Sequence, residues 1–288
     1  MKDFQNKVAV ITGAGNGFGA EFAKEACRRG MKVMLVDIDE HDVARTRKAI
    51  LDARGTVEIC VADVSLESEV DQMVKAAMSA FGRIDLLINN AGVAIGGSVV
   101  DMPVRDWEWI VAVNDMSQIY AMKRVIPIMI AQDSPCHIVN VASLAGLVTM
   151  GSMPAYFATK HFSVALTESA NYDLQAKNAK IQMSVFCPGY VKTDLYNYER
   201  HRPNRFKAPD DPYYSSDAYK EILKRAEHVI TTGIPLDPIA ALVFNAIERG
   251  DFYIETNKKA KWLILDRALN IILQRNPNYA KVMAKATK

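Results

Sequence analysis

The sequence predicts an α/β fold: one domain built on a doubly wound parallel sheet of about seven strands, with helices on both faces. Three observations carry this. Short runs that are apolar throughout, rather than at every second residue, recur along the chain, and such runs suit strands buried on both faces. Amphipathic stretches of helical period fill most of the gaps, as right-handed crossovers between parallel strands require. No linker or internal repeat divides the 288 residues, half of them hydrophobic, so one large core is the simplest reading.

The elements follow in order. "KVAVIT" (7–12) reads as the first strand and "KVMLVD" (32–37) as the second, with a helix over about Gly17–Arg29 between them. "TVEICVAD" (56–63), "IDLLINN" (84–90), "HIVNVAS" (137–143), "IQMSVFCPG" (181–189) and a short "DFYIE" (251–255) supply the other five. Helical patterns run over His41–Ala53, Leu66–Phe81, Trp107–Gln132, Ala155–Ala176 and Asp237–Arg249. This alternation is that of the Rossmann fold. The stretch Lys192–Pro235 reads as irregular and is rich in Tyr, Pro and Asp. A loop of that length in a compact domain is usually functional. It leaves from the carboxyl end of the sixth strand, where such sheets bind ligands. We therefore expect a domain over residues 1–257, with a substrate lid at about 192–235.

Composition excludes several classes. "MKDFQNKVAVITG" is no signal peptide, and "WLILDRALNIIL" is broken by Asp266 and Arg267, so no membrane span is expected. Cys27, Cys60, Cys136 and Cys187 are far apart with no CxxC pair, which argues for reduced thiols, a cytoplasmic setting and no metal site. The net charge of +2 is uneven: residues 258–288 hold eight Lys/Arg and one acid, so this tail carries +7 and residues 1–257 carry −5. The body has no basic stripe of the kind nucleic acid would demand.

"TGAGNGFG" (12–19) holds glycines at 13, 15, 17 and 19 between a strand and a helix. Such a turn lets backbone N–H groups and a helix N-terminus approach a phosphate. The common frame G-x-G-x-x-G fails from Gly13, because residue 18 is Phe, and fits from Gly15 only with Ala20 in the last place. The frame G-x-x-x-G-x-G fits Gly13, Gly17 and Gly19. From the residues alone both frames stay open. Asp37 ends the second strand; a carboxylate there accepts hydrogen bonds from both hydroxyls of an adenosine ribose and repels a 2′-phosphate. Asn16 brings no positive charge to hold such a phosphate, so the pair favours NAD over NADP. Asp39 lies close behind, but Asp37 is the better placed.

"SLAGLVTMGSMPAYFATK" (143–160) puts Ser143 at a strand end and Tyr156 and Lys160 one turn apart on the next helix. An ammonium beside a phenol favours the phenolate, so Tyr156 is expected to have a lowered pKa and to exchange a proton near neutral pH.

With these residues on the page, the chain resembles the short-chain dehydrogenase/reductase family from about Asn6 to Ile254. The pieces fall in family order: "TGAGNGFG", Asp37, "AD" (62–63), "NNAG" (89–92), Asn114, Ser143, "YFATK" and "PGYVKT" (188–193). The resemblance implies the frame Gly13, Gly17, Gly19 and makes Gly15 the glycine expected to tolerate replacement best. It implies NAD as cofactor, with Asn16 and Phe18 in the phosphate turn, Asp63 on the adenine and the Val64 backbone nearby. Asn90 and Gly92 would line the cleft beside Pro188 and Gly189. Val191 and Thr193 would hold the nicotinamide amide and the phosphates. Tyr156 would be the general acid/base, Ser143 the group polarising the carbonyl, Lys160 the ribose anchor and pKa tuner, and Asn114 the holder of a relay water. Three residues depart from the family pattern: Phe18 for a small aliphatic residue, Thr159 for a serine, and Asp115 for an apolar residue where it could alter the bend of its helix. The family also implies a homo-oligomer, a dimer or tetramer.

The implied reaction is reversible hydride transfer between NAD and a secondary alcohol or ketone. Leu144, Leu147, Met150 and Met153 after Ser143, and Tyr190, Tyr196, Tyr198, Phe206, Tyr213, Tyr214 and Tyr219 in the long segment, suit a large, flat, apolar ligand such as a steroid or bile acid. Lys192, Arg200, Arg202, Arg205 and Lys207 could meet an acidic tail on that ligand, but we expect solvated surface cations. In the tail, Trp262, Leu265, Leu269 and Ile272 fall at helical spacing. We expect this stripe to pack on the body or on a neighbouring subunit rather than to lie on an anionic membrane surface.

Overall fold

The computed structural model describes residues 1–257, 260–278, 280 and 282. Seven parallel strands run in the order β3-β2-β1-β4-β5-β6-β7: β1 (Val8–Thr12), β2 (Lys32–Asp37), β3 (Thr56–Val61), β4 (Leu86–Asn89), β5 (Cys136–Val141), β6 (Ile181–Cys187) and β7 (Tyr253–Glu255). The order reverses between β1 and β4. That leaves a crevice at the carboxyl ends of these two strands, because their following connections turn to opposite sides. Strands β1 and β5 are buried along their whole length, which is why they read as unbroken apolar runs.

Helices α1 (Gly17–Arg28), α2 (Glu40–Asp52), α3 (Glu67–Phe81), α4 (Val104–Val111), α5 (Ser117–Ala131), α6 (Pro154–Ala176), α7 (Asp217–Thr231), α8 (Asp237–Arg249) and α9 (Lys261–Ile272) complete the layers. One core lies between the sheet and α1 and α8, around Phe22, Leu35, Phe186 and Phe244. A second lies between the sheet and α3 and α5, around Met73, Leu87, Val125 and Ile138.

Three expectations need correction. The helix expected over Trp107–Gln132 begins at Val104 and is interrupted by a π-helical turn at Ala112–Met116, which carries both Asn114 and Asp115. Asp115 is buried there, so the unusual acid sits inside the bulge rather than on a bend of regular helix. The segment 192–235 is not irregular throughout. After short 3-10 turns it forms the fifteen-residue α7, whose amphipathic pattern the surrounding Tyr, Pro and Asp residues obscured. The segment closes on itself through a parallel bridge between Val191 and Ile234. Finally, of the two packings expected for the apolar stripe of the tail, the one on the body is not made, while a neighbouring subunit is not part of the structure. Trp262, Leu265, Leu269 and Ile272 are exposed, while Leu263 and Ile264 face inward and are half-buried. The basic residues Lys258, Lys259, Lys281, Lys285 and Lys288 lie outside the described residues. No described helix is long and apolar enough to cross a membrane.

Candidate active site

The crevice at the β1/β4 reversal opens into a cavity of about 720 Å³. Its wall includes Gly13, Asn16, Gly17, Phe18, Asp37, Asp63, Val64, Asn90, Gly92, Ser143, Tyr156, Lys160, Pro188, Gly189, Val191 and Thr193. Of the residues expected to form the site, only Gly19 and Asn114 are not on this surface. Both stand directly behind it.

The glycine turn explains itself residue by residue. Gly13 and Gly17 have φ of +62° and +51°, a region that L side chains rarely adopt. A side chain at Gly19 would meet the Gly13 carbonyl oxygen at 2.0 Å, so α1 packs against the turn with no room for a methyl. Asn90 ties this turn to β4 by donating from Nδ2 to the carbonyls of Thr12 and Gly13, at 2.9 and 3.0 Å. Gly15 reverses our expectation. A Cβ there would lie 2.7 Å from Asp42 Cβ and 2.9 Å from Asp37 Oδ2. Its N–H donates to that same Oδ2 at 2.8 Å. The family pattern leaves this position open, yet here the carboxylates of β2 and α2 close over it. Phe18 lines the cavity and is held by its neighbours, 5.9 Å from Phe22 and edge-on to Phe186 at 5.4 Å.

Asp37 is buried, and burial raises its pKa against the hydrogen bonds from Asp39 N and Gly15 N. Asp39 instead caps α2, accepting from Asp42 N at 3.0 Å. Asp63 accepts from Ser65 Oγ at 2.6 Å and from Arg205 Nη2 at 2.5 Å.

The arginines of segment 192–235 are the second correction at the site. Arg200, Arg202 and Arg205 are held in ion pairs, while Lys192 and Lys207 are exposed as expected. Arg200 bonds Asp42, Asp39 and Asp194. Arg202 is buried, 2.5 Å from Asp106 and paired with Glu199, with its guanidinium 4.1 Å from the centre of the Trp109 ring. Arg205 takes Asp63. All three fasten the segment to the body, and none is left to receive a ligand. Asp39, Asp42 and His201 bring ligand atoms within 4.8 Å of one another, but Arg200 already occupies both carboxylates. Of the expected aromatic wall, Tyr190, Tyr196 and Tyr198 line the cavity together with Leu144, Met150 and Met153. Leu147, Phe206, Tyr213, Tyr214 and Tyr219 do not. The last three pack tilted or edge-on against one another at 5.1–5.6 Å, and Tyr213 and Tyr214 reach Gly96 O and Asp106 Oδ1.

Ser143 caps a 3-10 turn, accepting from Ala145 N at 3.1 Å and donating to Pro188 O at 3.4 Å. Tyr156 and Lys160 stand one turn apart on α6, with Lys160 Nζ 5.6 Å from the centre of the Tyr156 ring and donating to Val141 O at 3.1 Å. Asn114 is locked. Its Oδ1 accepts from Val93 N at 2.8 Å, and its Nδ2 donates to Val93 O and Thr159 Oγ1. Thr159 also donates to Tyr156 O, so its hydroxyl joins the π-turn to the helix of Tyr156. Gly92 packs between Asn114 and Lys160, where a Cβ would approach them at 3.3 and 3.6 Å.

The electrostatics differ from the simple ammonium–phenol picture. Burial pushes the Tyr156 phenol up to about 12, with the Ser143 hydroxyl working against it. The same burial brings Lys160 down to about 8, opposed by Asp115. Asp115 in turn is raised to about 7, because its desolvation outweighs the pull of Lys160. In all three groups desolvation is the largest cause, and the attraction between Asp115 and Lys160 only partly offsets it.

A family model described as "short chain dehydrogenase" matches residues 7–204. The chain belongs to that family. It is 52% identical over 278 residues to a "CLA biosynthesis dehydrogenase/reductase" of Lactiplantibacillus plantarum, covering 96% of this chain and 97% of that protein. An uncharacterized oxidoreductase of Staphylococcus saprophyticus is 34% identical over 68% of this chain and 82% of its own. Among solved structures, a short chain dehydrogenase/reductase from Burkholderia phymatum in complex with NAD superposes with a TM-score of 0.93 at 37% identity, covering 96% of this chain and 98% of that one. The chain is thus an oxidoreductase of this family. Sequence reasoning missed Trp109 and the cavity-facing residues of α7, Ile222, Arg225, Ala226, Val229 and Ile230. Their signal was the 3–4 spacing of 222, 226, 229 and 230, which an expected loop hid.

Proposed function

We propose that this protein interconverts a secondary alcohol and a ketone with NAD, on a long-chain hydroxy or oxo fatty acid. The observation that carries the reaction is the shared cavity: Ser143, Tyr156 and Lys160 line the same wall as Asp37 and the glycine turn, so a bound dinucleotide and a substrate oxygen would meet there. Asp37 and Gly15 would receive the adenosine ribose, Gly13 and Gly17 the phosphates with Thr193 across from them, and Lys160 the second ribose. Arg200, which reaches Asp39 and Asp42 after β2, is saturated by three carboxylates, which supports NAD rather than NADP. When bound, the nicotinamide supplies the hydride chemistry. The chain supplies the rest. Ser143 Oγ donates to the substrate oxygen, and Tyr156 Oη gives the proton to a ketone or takes it from an alcohol. With its phenol held high, Tyr156 is protonated at neutral pH and suited to reduction. Oxidation should therefore quicken steadily as pH rises toward 12 while reduction holds level across the neutral range, which paired initial-rate profiles would check.

The substrate reading rests on the relative of 52% identity, taking CLA as conjugated linoleic acid, and on an apolar wall of Met150, Met153, Ile222 and Val229. It replaces the flat steroid or bile acid that the aromatic residues suggested, since three of those tyrosines pack the segment instead. We further propose that segment 192–235 is the lid of this site. Tyr156→Phe should cut turnover by about 10³-fold with NAD affinity largely kept. Wild-type turnover in that variant would end the assignment. A substrate panel of hydroxy fatty acids, hydroxysteroids and bile acids, read by NADH absorbance, tests the substrate, and preference for a steroid would overturn the fatty-acid reading.

A further inference from the structure

Arg200, Arg202 and Arg205 of the lid are each held by acids of the body or the lid, Lys220 pairs with Asp217, and the exposed Lys192, Lys207 and Lys224 do not line the cavity. Arg225 is different. It lines the cavity from α7, its residue is exposed, and no acid lies within ion-pairing distance of it among the described residues. Glu221, one turn earlier, also lines the cavity but does not pair with it. The other basic side chains on the cavity wall are committed elsewhere: Lys160 donates to Val141 O at 3.1 Å, and His201 lies beside Asp39 at 3.9 Å.

The position of Arg225 is fixed by its helix. Ile222, Ala226, Val229 and Ile230 share its face and form an apolar wall. At one end Ile222 fills the space over Gly96, and beyond the other Gly233 packs on the Tyr190 backbone next to the Val191–Ile234 bridge. So α7 lines the cavity along one face and is pinned near both ends. An arginine there lays its aliphatic stem on the apolar wall and keeps its guanidinium in water, which costs little in the free enzyme.

We propose that Arg225 is the carboxylate anchor of the substrate site: it holds the acid group of a long-chain hydroxy or oxo acid at the cavity mouth while the chain runs inward to Tyr156. This rests on the fatty-acid reading above. A carboxylate does not enter an apolar cavity unpaired, and a guanidinium fork binds one through two parallel hydrogen bonds. The anchor also acts as a ruler. With the acid end fixed, the number of carbons between carboxyl and carbinol decides which hydroxyl reaches Ser143 and Tyr156.

The test uses the full-length enzyme, NAD, and a set of hydroxyoctadecanoic acids with the hydroxyl at successive positions, each also as its methyl ester. For the wild type, one narrow range of positions should be preferred in the acids. In Arg225→Gln, KM for the preferred acid should rise about tenfold or more relative to its ester, with kcat changing less, and the positional preference should flatten. Arg225→Lys should recover part of the loss. Wild-type turnover of the acids with an unchanged acid-to-ester ratio in Arg225→Gln overturns the anchor and leaves the fatty-acid reading standing. A rise in KM for NAD alone overturns it too, by placing the arginine at the cofactor. A wild type that ignores every acid and ester but oxidises a steroid sinks the substrate reading, and the anchor with it.

Discussion

The two ends of the cavity are built by different means. The end formed by the β1–α1 turn, β2 and β4 is made of backbone. Two glycines sit at positive φ, a third packs against a carbonyl, and Asn90 stitches the turn to the next strand. Its partners are mostly carbonyl and amide groups fixed by the sheet, so it has little freedom to drift. The end formed by segment 192–235 is made of side chains reaching across long sequence separations: Arg200 to Asp42, Arg202 to Asp106, Arg205 to Asp63. The first end would be ready before any ligand arrives. The second is fastened by a few ionic latches on short 3-10 turns, a construction that can open locally without unfolding the sheet.

That contrast can be broken at several points. Gly19→Ala should have the largest effect, about 3 kcal/mol or more, because its methyl meets the Gly13 carbonyl and the main chain must move. Melting of the whole domain should fall, and a melt like wild type would show the glycine end to be softer than described. Arg202→Met should cost about 3 kcal/mol, because it cuts the segment's latch to α4 and leaves the buried Asp106 carboxylate with the Tyr214 hydroxyl but no counter-charge. Limited proteolysis should nick 195–215 in this variant while the thermal transition of the sheet moves little. If both regions melt together, the ends are not separate units.

Asp115→Asn probes the wall between the two ends. The folded pKa of Asp115 is raised from 3.8 to about 7, so the folded state holds a proton that the unfolded chain releases. Wild-type stability therefore falls as pH rises from about 4 through 7, and asparagine does not share that loss. Full linkage would give about 4 kcal/mol and solvent screening about halves it, so the variant should gain about 2 kcal/mol over wild type at pH 8, shrinking toward pH 4, as denaturant titrations at the two values would read. The smallest effect is expected for Arg205→Gln. Its pair with Asp63 is partly exposed, with 39% of the arginine side chain accessible. Screening should keep its worth under about 1 kcal/mol, leaving a change of a few-fold in NAD affinity by calorimetry. A hundredfold loss would mean that the latch closes on the cofactor itself.

The legible residues and the hidden ones divide along the same line. The glycine frame, Asp37, Ser143, Tyr156 and Lys160 could be found because strand ends and single helix turns put them at fixed short offsets. The fate of Gly15 could not be found, since it depends on Asp42, a residue of the next β–α unit that folds back over the turn. The arginines at 200, 202 and 205 read as surface charge because their acids are at 42, 106 and 63, and no local rule connects such numbers. Arg225 was missed for a further reason: Tyr, Pro and Asp around α7 gave the stretch a loop's composition, although its apolar residues kept helical spacing.

The sequence by itself determined the sheet, its order of elements and the family, because the period of apolar residues and the glycine and proline punctuation act over a few residues. The tertiary structure alone decided the burial that raises Tyr156 and Asp115 and lowers Lys160, the closing of carboxylates over Gly15, and which cations are held by partners. Those properties depend on what lies across the cavity, and hydration lost or recovered there is a matter of three-dimensional neighbours.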